Sequence, residues 1–297
     1  MNKPFPKNVT IIEVGPRDGL QNEQKIVSAQ NKIKFIELLA ESGLKYIEVG
    51  SFVHPKWIPQ LADSLEVIKG LNNLPKDIIY SALVPNMKGL ERAKETGIKR
   101  IAIFTAASET FTKKNINMTI QESLDIFKPV VKNALESRIS VRGYISTCFV
   151  CPYEGDIKKE KVFDLTKALI EIGVDDVSLG DTVGKALPEQ VYDTVNFILK
   201  SIPKEKLALH LHNTRGRALE NTEVGLQLGI TTFDSSAGGL GGCPYAPGAP
   251  GNLATEDLVD FLNQKSIQSG IDLEKLSKAS LFIQNILGKQ LPSRGIS

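Results

Sequence analysis

The chain has 297 residues, 41% hydrophobic and 24% charged, and its 36 basic residues nearly balance 34 acidic ones for a net charge of +2. That size suits one large barrel or two ordinary domains, and so even a charge argues against a nucleic-acid or membrane-surface protein, leaving a small molecule as the expected partner. Three cysteines, with Cys148 and Cys151 separated by two residues, argue against a disulfide framework and predict a reducing, cytoplasmic setting. The first residues show no signal core or arginine-rich leader, and no stretch reaches the length of a membrane span.

Apolar runs rich in β-branched residues predict eight strands, at 9–15, 46–50, 78–84, 100–106, 140–147, 175–181, 207–213 and 231–237. Between them, apolar positions spaced three and four apart predict helices such as 29–43, 122–137, 158–173, 188–202 and 217–229. Gly43, Gly97, Gly173 and Gly229 fall where helix C-caps belong. Alternating strand and helix implies parallel strands joined by right-handed crossovers, and eight such units predict an α/β protein with a (β/α)₈ TIM barrel. GPRDGLQ after the first strand lacks the glycine-rich phosphate turn of an open doubly wound sheet. Two further helical stretches, 254–264 and 273–287, read as extra C-terminal helices covering one end, and no linker divides the chain, so residues 1–297 form a single catalytic domain.

In such a barrel, chemistry belongs at the C-terminal ends of the strands. Arg17 and Asp18 follow strand one, Glu48 and Ser51 end strand two, Asp181 ends strand six, and His210 and His212 end strand seven. Residues two apart on a strand face one side, roughly 7 Å apart along it, so both imidazoles can reach one metal ion while Leu209 and Leu211 turn outward. Asp18 and Asn252, brought to the same rim by the neighbouring strands one and eight, supply two oxygens. A shell of two nitrogens and two oxygens favours Mg²⁺ or Mn²⁺, although zinc or cobalt also accepts such ligands. Arg17 is a permanent cation suited to a developing oxyanion, Glu48 would orient it, and Gln21 and Ser51 join it as candidate substrate contacts. Asp181 is either a proton relay or the cap of its own turn, and His54 is a loop residue. Lys25 and Lys289 are candidate cations on the rim. Cys148 and Cys151 suit neither a redox motif nor a zinc site and read as structural.

After strand eight, AGGLGGCPYAPGAPGN (237–252) is rich in glycine and carries three prolines, so neither helix nor strand passes through it. It is expected to bring Cys243 to the substrate and to close as a lid.

EVGPRDGLQNE, IEVGSFVHPKWIPQLADS, CPYEG, SLGDTVG, HLHNTRGRALEN and GLGGCPYAPGAPGNLATEDLV together resemble the 3-hydroxy-3-methylglutaryl-CoA lyase family, one branch of the metal-dependent barrel enzymes that include isopropylmalate and homocitrate synthases. The synthases typically carry glutamate where this chain has Leu20, and they usually have a long C-terminal regulatory region for which this chain has no room. The resemblance implies retro-Claisen cleavage of 3-hydroxy-3-methylglutaryl-CoA to acetyl-CoA and acetoacetate, in ketone-body and leucine metabolism. It also implies a divalent metal on Asp18, His210, His212 and Asn252, an enolate held by Arg17, Cys243 as active-site cysteine, and an acyl-CoA substrate in a homo-oligomer, a homodimer favoured. His210 or Asp18 would take the hydroxyl proton and the Cys243 thiol would return one to carbon. Asn213 stands where the family usually has aspartate after H-x-H, and Arg215 and His54 also depart from relatives. The alternatives are a lyase for a longer 3-substituted substrate, a condensing synthase acting on a 2-oxo acid, and a catalytically silent barrel that binds a partner.

Overall fold

A computed structural model describes residues 4–71, 75, 77–242 and 251–296. Eight strands, β1 (Thr10–Glu13), β2 (Tyr46–Ser51), β3 (Ile79–Leu83), β4 (Arg100–Ala106), β5 (Ser140–Ser146), β6 (Asp176–Asp181), β7 (Leu207–Leu211) and β8 (Thr232–Ser235), pair in parallel and close into a barrel in which β1 lies between β2 and β8. The helices that return the chain are α1 (Ala29–Glu41), α2 (Ser64–Gly70), α3 (Met87–Lys94), α4 (Glu109–Ile116), α5 (Ile120–Glu136), α6 (Lys159–Glu171), α7 (Pro188–Ile198), α8 (Ala218–Gln227), α9 (Thr255–Gln264) and α10 (Leu273–Leu287). Each predicted strand and helix is present, with ends shifted by a few residues at most. Gly43, Gly97, Gly173 and Gly229 all have positive φ and sit just beyond helix ends, the conformation a left-handed cap needs.

The main apolar core lies between the outer face of the barrel and the helices. Leu209 and Leu211 point into it, 0% and 2% exposed, so the neighbouring histidines point into the barrel. The barrel interior is different. Its apolar cluster is small, centred on Leu83, Ala102 and Tyr144, and other inward positions carry polar groups, among them Arg142, Ser178 and Asp234, each no more than 2% exposed. Of the two C-terminal helices, α9 follows β8 in the last crossover position. Helix α10 packs along α1 and ends near the barrel mouth, where Ser293 N–H donates to Gly238 O at 3.1 Å. After β5 a short antiparallel ladder, Val150–Cys151 with Gly155–Asp156, shapes the CPYEG segment, a feature without an apolar run to announce it. Its Cys151 and the nearby Cys148 are buried and bonded: Cys148 Sγ to Ile145 O at 3.1 Å and Cys151 Sγ to Ser108 Oγ at 3.0 Å. Burial holds the Cys148 thiol well above its ordinary range.

Candidate functional site

The turn after β1 folds GPRDG (Gly15–Gly19) into a single π-helical turn, with Arg17, Asp18 and Gly19 N–H all aimed at Val14 O. Such turns concentrate at functional sites because they push side chains out of ordinary helical spacing. Here the turn sets Arg17 and Asp18 side by side, Nη1 to Oδ1 at 2.6 Å. Arg17 Nε and Nη2 grip Glu48 Oε2 at 2.7 and 2.6 Å, Tyr144 donates to the same oxygen at 3.2 Å, and the guanidinium lies 5.4 Å from the centre of the Tyr144 ring. The predicted partnership of Arg17 with Glu48 is therefore present, with Tyr144 as an unforeseen third member.

His210 Nε2 and His212 Nε2 face each other at 3.2 Å, and His210 Nε2 lies 4.0 Å from Asp18 Oδ2. Among the described residues, Asp18, His210 and His212 form a group whose ligand atoms all lie within 4.8 Å of one another. Two lone-pair nitrogens and a carboxylate converging on one point suit a divalent cation. Burial raises the carboxyl's proton affinity, yet Arg17 and the two histidines together hold Asp18 well below the usual carboxylate range. Burial, with His210 beside it, pulls the His212 imidazole down to about 3. For His210 the burial effect is outweighed by Asp234 and Asp18, and its proton affinity rises.

Asn252 reaches the group through backbone pairing. Leu253 N–H donates to Leu211 O at 3.0 Å and Asn213 N–H to Gly251 O at 2.6 Å, so residues 251–253 run beside the end of β7, with Asn252 bridged to His212. The Asn252 amide donates to Asp18 Oδ2 at 2.9 Å and to Leu240 O at 3.0 Å. A Cβ on Gly251 would fall 1.5 Å from Gly241 O, so only glycine allows these two segments to cross. Glu13, fully buried behind the turn, accepts from Gly15 N and Ala237 N, each at 2.8 Å, and from Thr255 Oγ1 at 2.7 Å. It thus fastens the Arg17–Asp18 turn to the segment after β8. Cys243 lies outside the described residues.

The group opens onto a cavity of about 960 Å³, large enough for an extended ligand. Arg17, Asp18, His210 and His212 line it, together with Trp57, 82% exposed, and with Lys113 and Lys114 of α4. Gln21 and His54 line the cavity, and Gln21 Oε1 is buried there without a partner among the described residues. Other expected site residues do not face it. Ser51 Oγ is used by Val53 N–H at 3.2 Å. Asp181 accepts from Lys185 and Ala186 N–H at 3.2 and 3.1 Å, so its carboxylate caps the turn after β6, and burial pushes it up to about 6. Lys25 and Lys289 stand off the cavity, and Lys289 pairs with Glu23 at 2.6 Å. Asn213 turns away from the histidines, its Oδ1 accepting from Ala218 N–H at 3.3 Å.

Tyr144, Ser178 and Asp234 are interior residues that position at the rim does not reveal. Their one signal is a polar or charged side chain at an inward-facing place within an apolar strand.

Comparison with known proteins agrees with this geometry. The HMGL-like family model matches residues 8–283. Hydroxymethylglutaryl-CoA lyase YngG of Bacillus subtilis is 52% identical over 293 residues, covering 99% of this chain and 98% of that protein. The crystal structure of the Bacillus subtilis HMG-CoA lyase superposes with a TM-score of 0.97 at 51% identity, covering 99% of this chain and 98% of that one. That of an HMG-CoA lyase from Acinetobacter baumannii, in complex with coenzyme A and 3-methylmalate, gives 0.92 at 40% identity over 98% and 95%.

Proposed function

The chain belongs to the HMGL-like family, and from that membership and the site geometry we infer that it cleaves 3-hydroxy-3-methylglutaryl-CoA to acetyl-CoA and acetoacetate. The observation that carries the reading is the convergence of Asp18, His210 and His212 beside a guanidinium already gripped by Glu48. Asp18, His210, His212 and Asn252 would hold a divalent cation, Mg²⁺ or Mn²⁺. When bound, it would supply a Lewis acid that lowers the proton affinity of the substrate's tertiary hydroxyl.

The protein's own residues do the rest. The hydroxyl proton passes to the Asp18 carboxylate, which keeps a free lone pair while His210 Nε2, 4.0 Å away, serves as a ligand. As the C2–C3 bond breaks, the hydroxyl oxygen becomes the ketone of acetoacetate and the bonding electrons move onto the thioester as an enolate. Arg17, fixed in place by Glu48 and Tyr144, offers its charge to that oxygen without reorganising. The Cys243 thiol then delivers a proton to the enolate carbon, giving acetyl-CoA. Glu48 acts through Arg17, and Gln21, with its free buried oxygen, is a substrate contact.

Lys113 and Lys114, which line the cavity, suit the phosphates of coenzyme A better than Lys25 or Lys289. A cytoplasmic homodimer serving ketone-body and leucine metabolism completes the proposal. Among the described residues no helix is long and apolar enough to cross a membrane. The test is incubation with 3-hydroxy-3-methylglutaryl-CoA with and without a chelator. Metal-dependent release of acetoacetate supports the reading, and thiol release from acetyl-CoA plus a 2-oxo acid, without cleavage, would replace it with the synthase reaction.

A further inference from the structure

Behind the site, a line of alternating charges runs down the barrel interior. His210 Nδ1 lies 3.3 Å from Asp234 Oδ2, Asp234 Oδ1 accepts from Arg142 Nη2 at 2.6 Å, and Arg142 Nη1 donates to Asp176 Oδ1 at 2.8 Å. Asp176 then bonds Arg100 near the opposite end of the barrel. Ser178 Oγ adds a 2.7 Å bond to Asp234 Oδ2. Asp234 and Arg142 are 1% and 2% exposed, so neither can turn to solvent.

This arrangement leaves Asp234 one way to meet His210. Arg142 is a donor only, so the oxygen it touches must accept, while Ser178 donates to the other and His210 Nδ1 approaches that same oxygen to 3.3 Å. Facing a carboxylate oxygen, the neutral His210 ring keeps its proton on Nδ1, which leaves the Nε2 lone pair aimed at His212 and Asp18. We propose that Asp234, locked by Arg142 and Ser178, is a positioning residue that fixes the tautomer and orientation of His210 for metal binding. The inference rests on the reading of Asp18, His210 and His212 as metal ligands. It also accounts for the lack of a carboxylate at Asn213: the acid that serves the histidine pair comes from β8, across the register that aligns Asp234 with His210.

The informative variant is Asp234→Asn, because it keeps shape and changes one atom. Turning the new NH₂ toward Arg142 would set two donors face to face, so Arg142 holds the amide oxygen and the NH₂ takes the place of Oδ2. It then points at His210 Nδ1, which must accept, and the imidazole proton moves to Nε2, into the metal position. Two measurements read this. Titration with Mn²⁺ should show binding by the unaltered protein and a dissociation constant roughly 10–100-fold weaker in Asp234→Asn. Histidine ¹⁵N spectra of metal-free protein in mildly alkaline buffer, with His210 assigned by the loss of its signal in His210→Gln, should show the Nδ1–H tautomer in the unaltered protein and Nε2–H in the variant. Absence of Mn²⁺ binding to the unaltered protein would sink the metal-site reading itself. Binding in both proteins with equal affinity would overturn the role of Asp234 alone. Should the variant fail to fold, the spectrum of the unaltered protein still decides, since an Nε2–H form of His210 contradicts the proposal directly.

Discussion

Replacing Arg17 with methionine removes one charge that serves two carboxylates. The Arg17 side chain is 7% exposed and Glu48 is 0% exposed, so water cannot take over. Without the guanidinium, Glu48 Oε2 keeps only the Tyr144 hydroxyl at 3.2 Å, Oε1 remains without a partner among the described residues, and Asp18 loses its 2.6 Å contact. Stranding one member of a buried pair costs about 3–5 kcal/mol of stability. Losing one preorganised donor to a developing oxyanion costs roughly 10²–10³ in kcat, about 3–4 kcal/mol. The two losses have different causes and can be separated. In the double variant Arg17→Met/Glu48→Leu the stranded charge is gone, so urea unfolding should return most of the lost stability, while acetoacetate release stays at the level of the single variant. Recovery of turnover along with stability would show that Arg17 acts by holding the fold together and not by meeting the enolate. A single variant as stable as the unaltered protein would refute the buried-pair estimate.

Other substitutions test other parts of the site. Burial pushes the Glu13 carboxyl from 4.5 up to about 7, against the three donors that favour its charged form. A carboxyl raised in the folded state contributes stability that is complete below pH 4.5 and is lost as pH climbs through about 7. At about 1.4 kcal/mol per pH unit that loss is ~3 kcal/mol. The stability of Glu13→Gln should therefore gain on the unaltered protein across this range in urea melts, and parallel profiles would contradict it. Asp181→Ala leaves two N–H groups of its turn unpaired and should cost about 1–3 kcal/mol while Mn²⁺ affinity holds. A fall in affinity like that of Asp18→Ala would restore Asp181 to the reaction centre. Cys243→Ser should bind metal normally and lose most turnover, and near-normal turnover would remove the thiol from the mechanism.

The barrel and its rim were legible because each depends on local rules. Periodicity decides strand or helix, alternation forces the topology, and a (β/α)₈ topology gathers strand ends on one face. Arg17, Asp18, Glu48, His210 and His212 follow from that logic and meet as expected. Ser51 and Asp181 sit at the same rim and yet their oxygens are engaged by backbone N–H groups, since position along a strand does not say whether a nearby N–H will claim the side chain. Lys289 likewise pairs with Glu23, which is distant in sequence.

The interior line of charges was hidden more deeply. Arg142 and Asp234 are 92 residues apart, and each, taken alone, looks like a costly break in an apolar strand. Burial of either would be ruinous without the other, so their presence on inward positions of β5 and β8 already implies a partner, even though the sequence cannot name it. Asn213 led the other way. It stands where the family usually has aspartate, yet its side chain turns to the start of α8 and the carboxylate at the histidine comes from the next strand. Neighbours in sequence along a strand share a face only every second residue, while neighbours across strands share it at the same level. For a site built at the mouth of a barrel, the residue that tunes a ligand is therefore better sought across the register than along the chain.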